Sequence, residues 1–412
     1  MKQTILLLVA FLGLVGFSKA QNSQWLNYNP SNSGISSDYV TSLAIEDPGT
    51  IWIGTGNGGL VKFDGTTWVI YNTSNSGLLS NWVYAITIDE TCTKWVGTWN
   101  GGLAKFSGSN WTIFNTSNSE LPSNIVYSIA TNGNGTMWIG TSGGLAKFDG
   151  TNWTVFNTSN SDLPSNFITA ITVFGGESMW IGTHNGGLAK FDGTNWTIFD
   201  TSNSGLPDNS VWTISSDING SLWIGTSGGL SKLDGTNWTT YNNSNSGLPD
   251  NYVLTIDSDE DGSKWIGTYE GGVVKFDGNN WTSYNALNSG LPENYILSIS
   301  IDENSTKWIA TYGGGLAVFN ENGIPLAVNE NLLSENFGLV FPNPASDNIN
   351  FELPLGMNIS SFEILNIQGT IVKSQRISNN QNSVDVSNLP GGMYIIRIHT
   401  DHGLVVKKLI KR

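Results

Sequence analysis

Three aspartates in one turn are the first residues of this chain whose types and spacing could do chemistry. Asp257, Asp259 and Asp261 in the segment DSDEDG occupy alternating positions, the pattern in which a calcium loop presents its carboxylates. The same residues favour an ordinary hairpin turn, and the related turns keep only fragments of the pattern. Calcium is therefore the single candidate cofactor that the sequence suggests, and no other metal site is predicted.

Nucleophilic and acid–base chemistry has few candidates. His184, His399 and His402 are the only histidines, Cys92 is the only cysteine, and the last two histidines lie near the C-terminus. Neither a hydrolase triad nor a three-histidine metal centre can be built from this set. A carboxylate pair of the glycosidase type stays open, because acids are abundant. We therefore predict a protein that is not an enzyme, with a polysaccharide lyase or glycosidase as the alternative.

Charge divides the chain into two parts. Residues 21–335 contain nine lysines, no arginine and 28 acids, whereas residues 336–412 contain seven bases and five acids. Nucleic acids and anionic lipids are bound through basic patches, so the acidic part is a poor partner for both. It also lacks the planar guanidinium that binds carboxylates and phosphates.

The N-terminus has the pattern of a secretory signal peptide. Lys2 precedes the apolar run ILLLVAFLGLVGF, and small residues before Gln21 favour cleavage there, which assigns residues 1–20 to the signal. The apolar run is too short to span a bilayer, and no later segment is apolar enough to replace it. We therefore expect a mature chain without a transmembrane segment that is secreted, extracellular or on the outer-membrane surface.

A repeat predicts the elements that position these residues. WIGT or a near variant recurs at spacings of 42 or 43 residues, beginning at Trp52, Trp95, Trp138, Trp180, Trp223, Trp265 and Trp308. Each copy separates into four short strands (A to D) by alternation and turn residues, which is the pattern of a propeller blade. The last copy ends after its third strand, and an unpaired fourth strand begins at Trp25. The sequence thus predicts an all-β fold: a seven-bladed β-propeller over residues 21–320, with the N-terminal strand closing the last blade.

These residues resemble the two-component regulator propeller repeat. The segment LPDNSVWTISSDINGSLWIGTSGGLSKLDG, Leu206 to Gly235, carries its leading LP-x-N-x-V motif, its turn, WIGT and GGL, and variants recur from Trp25 to Asn320. In that family the propellers often form the periplasmic sensor regions of membrane-bound histidine kinases. We do not expect a kinase domain within residues 1–412.

The C-terminal part resembles a second family. Residues 321–335 read as a linker, and residues 336–412 contain VFPNPASDNINFELP, FEILNIQGTIVK, LPGGMYIIRI and KKLIKR in that order. These motifs are similar to those of the C-terminal sorting domain of the type IX secretion system of Bacteroidetes. The resemblance implies a small C-terminal β-sandwich, and the secretion machinery as its partner. It also implies export across the outer membrane, with the domain cleaved or retained.

The copies differ mainly at two positions. One is the start of strand A, and the other is the loop between strands B and C. Because antiparallel strands alternate in direction, both positions are expected at one face of the propeller. The candidate ligand-binding residues there are Trp82, Trp99, His184, Tyr252, Tyr269 and Tyr312.

This face is aromatic, acidic and free of arginine, which suits stacking on sugars, on cations or on basic peptides. We therefore expect a secreted or cell-surface propeller that binds an extracellular glycan or protein. Two alternatives stay open. In one, the aromatic residues fill gaps between blades and cover the channel mouth of a structural or adhesive surface protein. In the other, the propeller carries the polysaccharide-degrading activity named above.

Overall fold

The computed structural model describes residues 24–46, 49–173, 178–217, 220–324, 339–352, 359–366, 371–376, 383–400 and 403–412. The predicted signal peptide and most of the predicted linker lie outside these ranges. The chain divides into two compact units, Met1–Ile324 and Pro325–Arg412. Within the described ranges there is no helix with the length and apolar character that a membrane span requires.

Seven four-stranded antiparallel sheets make up the first unit as described. The first strand is β1 (Trp25–Tyr28), and blades 1 to 3 follow: β2 (Val40–Glu46), β3 (Thr50–Thr55), β4 (Gly59–Phe63), β5 (Trp68–Tyr71); β6 (Val83–Ile88), β7 (Lys94–Thr98), β8 (Leu103–Ser107), β9 (Asn110–Phe114); β10 (Val126–Thr131), β11 (Met137–Thr141), β12 (Gly144–Phe148), β13 (Trp153–Phe156). Blades 4 to 6 are β14 (Ile168–Val173), β15 (Met179–Thr183), β16 (Gly187–Phe191), β17 (Trp196–Phe199); β18 (Val211–Ser216), β19 (Leu222–Thr226), β20 (Gly229–Asp234), β21 (Asn237–Tyr241); β22 (Val253–Ser258), β23 (Lys264–Thr268), β24 (Val273–Phe276), β25 (Trp281–Tyr284). Blade 7 is β26 (Ile296–Ile301), β27 (Lys307–Thr311) and β28 (Leu316–Phe319), with β1 as its fourth strand.

The ring closes through the two ends of the unit. β1 pairs antiparallel with β28, with Trp25 opposite Phe319 and Tyr28 opposite Leu316. A bridge between Tyr39 of blade 1 and Tyr312 of blade 7 adds a second connection. The first strands of neighbouring blades contact one another around the ring, so strand A is the innermost strand of each blade. The all-β fold with seven propeller blades, predicted from the repeat, is confirmed.

The repeated tryptophans of strand B lie between blades. Trp52 of blade 1 packs against Val83, Val96 and Phe106 of blade 2, and it is 2% exposed. Trp265 of blade 6 packs in the same way against blade 7. Each such side chain buries roughly 150 to 250 Å² of surface, a large part of the apolar burial that holds neighbouring blades together.

The glycine of WIGT lets neighbouring blades approach closely. A Cβ atom at Gly182 would lie 2.7 Å from Cγ1 of Val211 in the next blade, far inside van der Waals contact. Gly225 stands in the same relation to Val253. Glycine is therefore favoured by packing at these junctions, although blade 7 accommodates Ala310 at the same position.

The second unit contains two small antiparallel sheets in its described part. Their strands are β29 (Leu339–Phe341), β30 (Asn348–Glu352), β31 (Ile359–Leu365), β32 (Ile371–Arg376), β33 (Ser383–Asp385), β34 (Gly392–Thr400) and β35 (Gly403–Lys411). The sheet orders are β29-β30-β33 and β32-β31-β34-β35. Phe351, Phe362, Tyr394 and Ile396 are among the buried residues of one shared core. The predicted small C-terminal β-sandwich is confirmed.

Candidate functional site

The two variable positions of each blade meet at one face of the propeller. In all seven blades the residue after strand B donates its backbone N–H to the carbonyl oxygen of the residue before strand A. The pairs are Gly56 with Tyr39, Trp99 with Trp82, Ser142 with Ile125, His184 with Phe167, Ser227 with Ser210, Tyr269 with Tyr252, and Tyr312 with Tyr295. We call this side, which carries the B–C and D–A loops, the mouth face.

Aromatic side chains from all seven blades form a closed cycle of contacts at the mouth face. In order around the cycle they are Tyr39, Trp82, Tyr84, Tyr127, Phe167, His184, Trp212, Tyr252, Tyr269, Tyr295 and Tyr312, which returns to Tyr39. Consecutive ring centroids are 4.3 to 6.1 Å apart. Trp99 packs against two members of the cycle, with centroids 6.5 Å from Trp82 and 5.7 Å from Tyr84. We call these twelve residues the mouth ring.

All six predicted ligand-binding residues lie in the mouth ring. Trp99, Tyr269 and Tyr312 are the most open, with exposed fractions of 38%, 40% and 48%. Within the described part of the propeller they are the only tryptophan, tyrosine or phenylalanine side chains classed as exposed. Trp82, His184 and Tyr252 are half-buried. The loops where the copies differ thus carry the accessible part of the ring.

The predicted set omitted half of the mouth ring. Tyr39, Phe167 and Tyr295 lie at the variable start of strand A, whereas Tyr84, Tyr127 and Trp212 lie two residues after that start in their blades. A β-bulge interrupts the pairing of strands A and B there in every blade, for example between Val83 and Ala85. A bulge re-aims the extra residue, so strict alternation gives the wrong orientation. The sequence does contain an indication of these residues, because the second residue of strand A also differs among the blades. These residues are Thr41, Tyr84, Tyr127, Thr169, Trp212, Leu254 and Leu297.

The loops of the mouth face carry carboxylates and no basic residues. The D–A and B–C loops contain eight acids and neither lysine nor arginine: Asp38, Glu120, Asp162, Asp200, Asp208, Asp250, Glu270 and Glu293. Asp208, Asp250 and Glu293 occupy the same position of the repeat in blades 5 to 7, where blades 1 to 4 have serine. They accept hydrogen bonds from backbone N–H groups, as Asp250 does from Tyr252 and Glu270. Negative charge is therefore concentrated beside Trp212 of blade 5 and the ring tyrosines of blades 6 and 7.

Several phenol groups of the ring influence one another. Burial raises the pKa of Tyr39, Tyr84 and Tyr295 to about 12, and neighbouring tyrosines contribute to each shift. Tyr295 contributes to the raised pKa of Tyr84 although the two residues belong to blades 7 and 2. At neutral pH the phenols are uncharged and available as hydrogen-bond donors and acceptors.

The mouth face contains a pocket between blades 6 and 7. It has a volume of about 440 Å³ and is lined by Tyr269, Glu270, Glu293, Asn294, Tyr295 and Tyr312. The Tyr269 and Tyr295 centroids are 4.4 Å apart, and Tyr295 stacks on Tyr312 at 5.0 Å. The lining residues occupy positions that vary among the blades, except that Asn294 is asparagine in six of the seven. The pocket is therefore particular to this part of the ring.

A second pocket of about 350 Å³ lies between blades 4 and 5 on the opposite side of the propeller. Trp180, Lys190, Leu222 and Leu233 line it. Trp180 and Lys190 recur at the same positions in most other blades, and Leu222 and Leu233 belong to the apolar core at this junction. The lining is therefore mainly that of a junction between two blades.

The three aspartates of the calcium hypothesis have separate partners. Asp257 accepts from the backbone N–H of Ile301 in the next blade, and burial raises the pKa of its carboxyl to about 6. Asp259 accepts from Lys307 Nζ at 2.6 Å, and Asp261 accepts from the N–H of Ser263. In the described residues no group of three or more histidine, cysteine or acidic side chains is arranged to hold a metal.

His184 has aromatic neighbours in the ring. Its centroid is 5.2 Å from that of Phe167 and 5.5 Å from that of Trp212. Its Nδ1 is buried and, like Nε1 of Trp82, has no hydrogen-bond partner in the described residues. Two polar atoms of the ring are therefore left with hydrogen-bonding capacity.

The side opposite the mouth carries all nine lysines of the propeller, and we call it the lysine face. Six lie on strand C and three begin strand B. Each Nζ lies 4.6 to 5.8 Å from the ring centroid of a strand-B tryptophan, in cation–π geometry. Every lysine of the propeller therefore lies at a position where its ammonium group contacts a tryptophan ring of the protein.

Comparison with known families agrees with both halves of the chain. Residues 339–412 match the family described as the secretion system C-terminal sorting domain, and residues 120–143 and 205–228 match the two component regulator propeller. The C-terminal unit therefore matches a secretion sorting domain, and two segments of the propeller match the regulator repeat. The sorting-domain match identifies this propeller protein as secreted or cell-surface. The search of curated proteins finds no match to it.

Solved structures share the fold of the propeller protein at low identity. The extracellular domain of a protein described as a hybrid two component system from B. thetaiotaomicron is 21% identical with a TM-score of 0.63, over 94% of this chain and 57% of that one. PorZ, a surface component of the type-IX secretion system of Porphyromonas gingivalis, is 17% identical with a TM-score of 0.57, over 94% and 60%. Virginiamycin B lyase from Staphylococcus aureus is 14% identical with a TM-score of 0.58, over 72% and 98%. The chain spans only about three fifths of the first two proteins.

Proposed function

We propose that this protein binds an extracellular ligand, a glycan or a protein, through the mouth ring and releases it chemically unchanged. The observation that carries the proposal is the exposure of Trp99, Tyr269 and Tyr312 on the loops where the blades differ. The aromatic residues that recur in the blades are buried or half-buried, but these three side chains are exposed to solvent. Rigid aromatic side chains supply much contact area at a small entropic cost, so they are typical anchors of binding surfaces.

The domain organisation supports the same proposal. We assign residues 1–20 to a signal peptide, residues 21–320 to the propeller, residues 321–335 to a linker and residues 336–412 to the sorting domain. In this arrangement the secretion machinery recognises the C-terminal domain, and the propeller is the cargo that acts outside the cell. A recognition surface on the propeller is what such a cargo needs.

The test is binding of the mature protein to glycan arrays and to arrays of extracted surface proteins. We expect binding that Trp99→Ala and Tyr269→Ala each reduce at least tenfold. Leu287→Ala is the matched control, because Leu287 is 97% exposed on a D–A loop of the same face but outside the ring. Absence of binding on every array, or binding that both ring variants retain, would contradict the proposal and favour a structural or adhesive role.

An enzymatic role is tested separately, because propellers also host lyases and fold does not fix function. The mature protein is incubated with a panel of polysaccharides, and the products are analysed. We expect no product. Product formation that is abolished by one carboxylate or tyrosine substitution at the mouth ring would replace binding with catalysis.

A further inference from the structure

Three tyrosines and two glutamates line one pocket of the mouth face. Tyr269 and Tyr312 are 40% and 48% exposed, and Tyr295 packs between them. Glu270 follows Tyr269 directly in the chain, and Glu293 lies two residues before Tyr295. Aromatic walls and carboxylates therefore open onto the same volume of about 440 Å³.

No internal cation neutralises these carboxylates. Among the described residues, the ion pairs of the propeller lie on the lysine face, and none includes an acid of the mouth loops. The negative field at the pocket extends along the ring, because Asp208 and Asp250 precede it and Asp38 follows it. Uncompensated charge beside low-dielectric aromatic walls attracts a ligand of the opposite sign.

On the lysine face, an aromatic ring and a carboxylate bind an ammonium group that the protein itself supplies. Lys307 Nζ lies 4.6 Å from the ring centroid of Trp265 and 2.6 Å from Asp259 Oδ2. An indole face and a carboxylate together hold this ammonium group almost fully buried. The pocket at the mouth offers the corresponding groups, phenol faces and carboxylates, without the cation.

We propose that the pocket formed by Tyr269, Glu270, Glu293, Tyr295 and Tyr312 binds a lysine or arginine side chain of a basic protein segment. This inference rests on the proposed function and specifies its ligand. A neutral sugar stacks on tyrosine but gains no Coulomb attraction from the glutamates, and an anionic polysaccharide is repelled by them. The further carboxylates along the ring favour a segment with several bases over a single small amine.

The experiment measures binding of fluorescein-labelled decalysine to the full mature chain by fluorescence anisotropy. The same peptide with every side-chain amine acetylated is the neutral probe. We expect decalysine to bind, the acetylated peptide to bind at least tenfold more weakly, and the affinity to fall as the salt concentration rises. No binding of decalysine at low salt overturns the inference.

Two charge-matched variants separate the pocket from the general field of the face. Glu270→Gln with Glu293→Gln removes two charges from the pocket and keeps acceptor oxygens for the backbone. Glu120→Gln with Asp162→Asn removes two charges from D–A loops outside the ring. We expect the first pair to weaken decalysine binding about tenfold, near 1.4 kcal/mol, and the second about twofold or less. Equal losses for both pairs would overturn the inference in favour of unspecific attraction.

Tyr312→Leu tests the aromatic wall, because it keeps apolar bulk and removes the π face. We expect decalysine affinity to fall several-fold, and unchanged affinity overturns the aromatic part of the site. Array binding that is lost in Trp99→Ala but retained in the glutamate pair, without decalysine binding, overturns the inference and leaves the proposed function standing. Absence of binding in both assays overturns both.

Discussion

Both faces of the propeller carry acids and aromatic residues, but the two faces differ in whether lysines of the protein contact them. On the lysine face, acids and tryptophans are matched with partners inside the protein. Glu46 accepts from Trp52 Nε1 and pairs with Lys94, and Asp259 pairs with Lys307. On the mouth face, acids and aromatic rings lie side by side with no basic residue in the loops. Internal pairing stabilises a fold, whereas unpaired groups of complementary chemistry are available to a ligand.

The blades themselves show that the pairing is optional. Strand B begins with lysine in blades 2, 6 and 7, but with Met137, Met179 and Leu222 in blades 3, 4 and 5. In blade 3 the position equivalent to Asp259 is Asn132. The same position between blades is therefore occupied by an ion pair at some junctions of the propeller and by an apolar residue at others. This is consistent with the rule that buried ion pairs are replaceable as pairs but costly to break singly.

The largest predicted effect comes from breaking one buried pair of the lysine face. Lys307→Met leaves Asp259 buried without its cation, and we expect a loss of about 3 to 5 kcal/mol of unfolding free energy. Thermal and urea unfolding of the mature chain measure it. Adding Asp259→Asn copies the junction of blades 3 and 4, and the double variant should recover most of the loss. A single variant as stable as the wild type would mean that the pair does not hold these blades together.

A pH-dependent effect of intermediate size is expected at Asp257. Burial raises the pKa of this carboxyl to about 6, above its ordinary value of 3.8. The folded state therefore holds the proton more tightly than the unfolded state does. The resulting stability is fully present below about pH 4 and is lost as the pH rises through 6.

Asp257→Asn removes this penalty, because a neutral amide keeps an oxygen for the N–H of Ile301. We expect the variant to exceed the wild type by about 1 to 3 kcal/mol at pH 8 and to match it at pH 4. Unfolding midpoints measured across this range provide the check. A difference between the two proteins that does not vary with pH would contradict the assignment.

The smallest predicted effect on stability belongs to the mouth face. Trp99 is 38% exposed, so we expect Trp99→Ala to lower the unfolding free energy by about 1 kcal/mol or less. Trp265→Ala, at a fully buried site between blades, should cost about 3 to 5 kcal/mol. Comparing the two unfolding midpoints tests whether mouth aromatics are retained for contact with a ligand. A cost at Trp99 that equals the cost at Trp265 would make it a packing residue.

Local sequence determined most of the fold. WIGT, the glycine pairs and the Asp-Gly turns fix strands, hairpins and blade period within about 40 residues, and repetition confirms each assignment. Trp99 and Tyr269 could be selected as candidate site residues for the same reason, since they depart from the repeated sequence. The turn DSDEDG was ambiguous, because a calcium loop and a hairpin share its residue types.

The sequence by itself determined the number of blades, the acidic charge and the positions at which the copies differ. Only the tertiary structure decided that twelve side chains from seven blades form one ring, and that three aspartates of one turn have separate partners. Tyr84 and Tyr127 join the ring because bulges re-aim them. Tyr312 joins it because the last blade closes on the first. Both are relations between distant segments, whereas periodicity reports only on neighbours along the chain.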